Sequence, residues 1–207
     1  MKKRLRPRRK VVAVAGSLSS QSTTAIVAEA ALQAVSSLGD TSLIRLSDIS
    51  AETLFSGNRS DPVFDRSVRA LGEADGVILA TPIYKASMSG LMKLFLDHLP
   101  QYGLAGKTVW PIATGGSIAH ALALDFGVRP ILQSMGPRLI IQSCFVVPAV
   151  SGAIGPTDIE GLLSGDTRFR EAALHFQAAL SSDQPYDLLG HPVPDRSPGQ
   201  ETRRLYA

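Results

Sequence analysis

Short apolar runs without polar alternation recur along the chain, and between them lie stretches whose apolar positions follow a helical period. The first run is Lys10–Gly16. It is followed by helical spacing over Ala25–Leu38, with Ile26, Ala30, Val35 and Leu38 near one stripe. Ser42–Leu46 reads as a short second strand, Ser47–Pro62 as a polar loop and Val63–Glu73 as a helix. Asp75–Thr81 (DGVILAT) is apolar throughout, as a strand covered on both faces should be. Ser89–Leu99 predicts a helix with Leu91, Leu94, Phe95 and His98 on one face. Lys107–Ala113 and Leu139–Val147 are two further strands, with a helix over Ala119–Met135 between them, and Phe169–Leu180 closes the pattern as a helix. This alternation predicts an α/β fold with a five-stranded parallel sheet, order 2-1-3-4-5, and helices on both faces. Such a sheet binds its ligand over the carboxyl ends of strands one, three and four.

Length and charge refine the picture. A chain of 207 residues suits one domain, here residues 10–181. Residues 1–9 are expected to form a basic disordered leader, and residues 182–207 a poorly ordered tail or a subunit-docking arm. The formal charge of +3 is misleading, because seven Lys/Arg and no acid fall in the first ten residues and the remainder carries −4. No aromatic side chain interleaves the leader, so contact with nucleic acid is not expected. The apolar run after it is too short for a signal peptide, and no segment has the length of a membrane span. A single cysteine, Cys144, cannot form an internal disulfide, which fits a reducing cytoplasm; within LIIQSCFVV it reads as a small buried hydrophobe. The four histidines lack ligand spacing, so no metal site is expected, and no GxSxG elbow points to a hydrolase.

Three loops carry the candidate chemistry. The stretch GSLSSQSTT, between the first strand and first helix, offers backbone N–H groups, a helix dipole and the hydroxyls of Ser17, Ser19, Ser22 and Thr23. It contains neither GxGxxG nor GxxxxGK[ST] and no lysine, which suits a phosphate monoester; a plain helix N-cap with a solvated loop is the other reading. The second loop, TPIYKASMSG, opens with Pro82, which ends the strand, and presents Tyr84 for stacking on a planar ligand; the alternative is a turn whose tyrosine covers a sheet edge. The third, ATGGSIAH, has paired glycines that let backbone amides approach a ring edge. His120 follows it, equally suited to capping or to chemistry.

Taken together, GSLSSQS, ATPIYKASMSGLMKLFLDHLP, LAGKTVWPIATGGSIAHALALDF and VRPIL resemble the NADPH-dependent FMN reductases of the flavodoxin-like superfamily. The nearest likeness is to the flavin reductase components of two-component alkanesulfonate monooxygenase systems, and it runs from about Val11 to Val147. The resemblance implies that Ser17, Ser19, Gln21, Ser22 and Thr23 hold the FMN phosphate. Pro82, Ile83, Tyr84 and Lys85 would line the isoalloxazine with Ser89 nearby. Thr114, Gly115, Gly116 and Ser117 would hold the opposite ring edge, flanked by His120. Hydride would pass from NADPH or NADH to flavin N5 with no side-chain catalyst, His120 and Phe126 giving at most support. Reduced FMN would then go to a flavin-dependent monooxygenase. Arg59, Arg66 and Lys85 are the cations available for a 2′-phosphate.

Two departures from the family pattern stand out. Ser19 replaces an arginine found in many phosphate loops of the superfamily, so phosphate binding rests on neutral donors and is expected to be weaker. Phe126 takes the place of an inserted tyrosine that makes a π-bulge at a tetramer interface. It can keep the bulge but lacks the phenol's hydrogen bond, worth roughly 0.5–1.5 kcal/mol. The runner-up function is an NAD(P)H quinone or azo reductase with tightly held FMN, and a third reading is a non-catalytic electron carrier. The apolar helices Ser89–Leu99 and Ala119–Met135 predict a homodimer or homotetramer.

Overall fold

A computed structural model of the chain describes residues 8–147, 161 and 165–182. Most of the expected leader and nearly all of the expected tail lie outside these residues. The elements, in chain order, begin with β1 (Arg9–Ala15), α1 (Thr23–Ala34) and β2 (Gly39–Arg45). They continue with α2 (Ala51–Ser56), α3 (Pro62–Glu73), β3 (Gly76–Tyr84), β4 (Ser87–Met88) and α4 (Gly90–Asp97). The last are β5 (Thr108–Thr114), α5 (Arg129–Ser134), β6 (Leu139–Ile140), β7 (Cys144–Val146) and α6 (Thr167–Ser181).

The sheet has seven strands, not the five expected. Its path runs β2-β1-β3-β5-β6, with β7 also paired to β5 and β4 folded back on β3. The β1–β2, β1–β3, β3–β5, β5–β6 and β5–β7 pairings are parallel, and only the short β3–β4 ribbon is antiparallel. The extra strands have identifiable causes. Ile83 and Tyr84 pair with Met88 and Ser87 across a two-residue turn, whose Lys85 and Ala86 both take left-handed backbone (φ 51° and 62°). The fifth position, expected as Leu139–Val147, is broken. Val109 pairs with Ile140 and Ile112 with Cys144, so three residues on the edge face two on β5.

Pro111 lies in that gap. The amide of Ile141 donates to Val109 O at 2.9 Å. The next bond of a parallel ladder would come from residue 111, which as proline has no N–H to give. The Arg129 guanidinium takes over, donating to Ile141 O at 3.0 Å, to Ile140 O at 3.3 Å and to Ser143 Oγ at 3.0 Å.

Alternation along β1 separates two cores. Val12 and Val14 enter one with Phe64, Leu71, Met92, Phe95 and Leu132 of the helices on that face. Val11, Ala13 and Ala15 enter the other, with α1 and α6. There Trp110 is fully buried between Phe169 and Phe176, with ring centroids 5.2 and 5.8 Å away. Burying an aromatic of this size contributes about 1.5–3 kcal/mol, which is why α6 docks.

The expected polar loop 47–62 contains α2. Ser50 caps it by accepting from Thr53 N, and Gly57 (φ 64°) ends it in left-handed backbone. The helix expected over Ala119–Met135 is three segments: a 3-10 turn (Ile118–His120), a π-helical stretch (Leu124–Val128) and α5.

Candidate functional site

The carboxyl ends of β1, β3 and β5 adjoin in the sheet, so the three candidate loops emerge side by side. Gly16 follows β1, and a Cβ there would stand 2.9 Å from Met92 Cβ and Cε; only glycine allows α4 this close.

The serine loop is shaped from within. Ser22 is the N-cap of α1, accepting from Ala25 N at 3.2 Å while donating to Ser17 Oγ at 2.6 Å. Ser17 is buried and in turn donates to Ser19 O at 3.1 Å. Both hydroxyls are therefore engaged in holding the loop. Ser19 differs, because it accepts from Gln21 N at 3.3 Å and keeps its hydroxyl hydrogen for a ligand. The amides of Leu18, Ser19, Ser20, Thr23 and Thr24 have no acceptor among the described residues. Donors clustered at the positive end of a 12-residue helix, with no cation in the loop, form a cradle that fits a phosphate monoester.

The second loop places its residues unequally. Pro82 and Ile83 are buried, whereas Tyr84 is 55% exposed at the strand end and Lys85 is exposed at the turn. Only the latter two offer side chains to a ligand. Ser89, expected near the isoalloxazine, has a structural part to play. It is 3% exposed, caps α4 by accepting from Met92 N at 3.1 Å, and donates to Gly16 O at 2.5 Å. Its own amide donates to Thr81 Oγ1 at 3.0 Å. With its hydroxyl hydrogen and its amide both engaged inside the protein, Ser89 ties the first loop to the second.

The third loop splits in the same way. Thr114 is buried and its hydroxyl lies 2.6 Å from that of Thr24, also buried. The Gly115 amide donates to Val146 O at 3.2 Å, and a Cβ there would stand 2.9 Å from Phe145 Cζ. The expected ligand contacts at Thr114 and Gly115 thus give way to structural ones. Gly116 has open space around its α-carbon, and neither its amide nor that of Ser117 has an acceptor among the described residues. Ser117 Oγ accepts from Ala119 N at 3.2 Å, and exposed His120 follows with its amide on Ser117 O.

Of the cations considered for a 2′-phosphate, Arg59 pairs with Asp65 at 2.7 Å. Arg66 lies near Asp61 on α3, whose carboxyl sits below its ordinary value, held down chiefly by the Phe64 amide. Lys85 alone lies in a candidate loop. Among the described residues no cluster of His, Cys, Asp and Glu can hold a metal ion, and no helix is long and apolar enough to cross a membrane. Phe126 sits within the π-helical stretch and is 79% exposed; Leu122 and Ile118 are exposed about one and two turns before it.

Thr24 is the residue that sequence reasoning passed over. Its one signal was a hydroxyl at the end of a loop that holds five others, and nothing in the pattern pairs it with Thr114 across 90 residues.

The description NADPH-dependent FMN reductase belongs to a family model that matches residues 9–151. A Pseudomonas putida protein named FMN reductase (NADPH) is 34% identical over 173 residues, 83% of this chain and 88% of that one. The NADH-dependent FMN reductase SfnF, also of Pseudomonas putida, is 34% identical over 127 residues, 59% of this chain and 68% of its own. Among solved structures, an apo NADH:FMN oxidoreductase superposes with a TM-score of 0.76 at 44% identity, covering 90% of this chain and 97% of that one.

Proposed function

The chain belongs to the NADPH-dependent FMN reductase family, and from that premise we propose how its site works and what it serves. It is an NAD(P)H-dependent FMN reductase, an oxidoreductase on a flavodoxin-like fold. The observation that carries the site assignment is one sheet edge bearing two sets of backbone amides without acceptors among the described residues, with exposed Tyr84 between them.

In this reading the FMN phosphate rests on the amides of Leu18–Ser20, Thr23 and Thr24 and on the Ser19 and Thr23 hydroxyls, with Gln21 at the rim. Tyr84 stacks on the ring system, Lys85 flanks it, and the amides of Gly116 and Ser117 donate to the polar ring edge. Bound FMN supplies the hydride acceptor, N5, for the nicotinamide. The chain holds the two rings face to face and needs no acid or base for that transfer. A phosphate loop of neutral donors favours release of the product, so we assign reduced FMN as a diffusible supply to a flavin-dependent monooxygenase. Working in the cytoplasm, the lone thiol of Cys144 stays reduced. The exposed stripe Ile118, Leu122 and Phe126 packs on its counterpart in a second copy, giving dimers that pair into a tetramer.

The test combines absorbance and kinetics. A colourless purified protein that oxidises NADPH only with added FMN, by a sequential mechanism, is the expected result. A yellow protein with ping-pong kinetics assigns tightly held flavin and a quinone or azo substrate instead. Tyr84→Ala is expected to raise KM for FMN and leave KM for NADPH nearly unchanged.

A further inference from the structure

Two hydroxyls buried in the protein stand at a junction that the reaction itself does not use. Thr24 lies in the first turn of α1, immediately behind the amides assigned to the phosphate. Thr114 is the last residue of β5, at the root of the double-glycine loop assigned to the ring edge. They are 2% and 4% exposed, and their oxygens stand 2.6 Å apart, either one able to donate to the other. Neither side chain is open to a ligand. The bond is instead a strut between the two ends of the candidate site.

We infer that the Thr24–Thr114 pair sets the spacing between the phosphate cradle and the ring-edge amides, so that one FMN molecule meets both at once. Both residues are positioning residues, and the inference rests on the flavin site proposed above. FMN is a fixed-length ligand with a polar group at each end. Its second contact forms without a new loss of free motion only if the two anchors already stand at the right separation. The strut supplies that separation at the level of the strand end and helix start, which are rigid, rather than in the loops. Ser89 plays the matching part between the first two loops through Gly16 and Thr81, so a broken Thr24–Thr114 bond leaves the stacking side of the site in register.

This predicts a signature that general destabilisation does not produce. Riboflavin has the ring but no phosphate and occupies only one anchor, so its binding does not depend on the spacing. The double variant Thr24→Val/Thr114→Val replaces both hydroxyls by methyls of the same shape, leaving no buried polar group unpaired, and is expected to fold. Dissociation constants for FMN and for riboflavin, from quenching of flavin fluorescence, are measured on the full-length chain with this variant, Thr114→Ser and wild type. In the double variant FMN binding weakens by about fivefold, the size of one lost hydrogen bond, while riboflavin binding changes less than twofold. Thr114→Ser keeps the hydroxyl and the wild-type ratio. Equal weakening of both flavins, or an unchanged ratio in the double variant, overturns the strut. A wild-type chain that binds neither flavin overturns the flavin site itself, and the strut with it.

Discussion

Arg129 stands in for Pro111. The proline removes a ladder donor from β5, and the guanidinium, reaching from the start of α5, serves the Ile141 carbonyl that the missing N–H would have met. Replacing Arg129 with Leu strands Ile140 O and Ile141 O in a half-buried place. A cost of about 1.5–3 kcal/mol is expected, as for other charged hydrogen bonds, read from the urea midpoint. Adding Pro111→Val restores the amide and should recover part of the loss. If the two substitutions are simply additive, the compensation does not exist.

Ser89→Ala leaves Gly16 O and the Met92 amide without their partner in a closed interior. The expected penalty is about 1–3 kcal/mol, with weaker FMN binding because the first loop is no longer tied to the second. Were Ser89 a ligand contact instead, the variant would lose FMN affinity at unchanged stability.

Cys144 gives a pH dependence. Burial pushes its thiol from the ordinary 9.0 up to about 12. The folded state therefore favours the protonated thiol more than the unfolded state does. That contribution to stability is fully present below pH 9 and is lost as pH rises through about 12, since only the unfolded chain ionises in between. Native protein at pH 8 should react with a thiol reagent only at the rate of unfolding, and Cys144→Ala should lose less stability than wild type on going from pH 9 to 11.

Phe126→Glu tests the exposed stripe. The side chain is 79% exposed, so the fold should survive while the proposed assembly shrinks in sedimentation velocity. An unchanged assembly would assign the stripe to another use.

Strands β1, β3 and β5 were legible because their side chains are buried on both faces, so each appears as a nearly unbroken apolar run. The interruption between β6 and β7 was not, since Gln142 and Ser143 look like ordinary outward residues unless the register against Pro111 is known. Helix α2 escaped notice because AETLFS buries only Thr53 and Leu54, too few to set a period, although Ser50 and Gly57 mark both of its ends. At the site, the order of the loops was readable, but the division of labour within them was not. A hydroxyl in a strand-end loop has the same letter whether it faces a cleft or, like Thr114, a partner from another element. The π-helical stretch was approached through family likeness at Phe126 and not through periodicity, because one extra residue leaves no separate mark on an apolar pattern.

The broken edge has one more effect. A long straight border would offer an unpaired row of peptide groups to any passing extended chain. Here that border comes in pieces of two and three residues, set out of line by an extra residue and occupied between them by a guanidinium. An incoming strand finds no continuous template on that side, so this border of the sheet is guarded against strand addition.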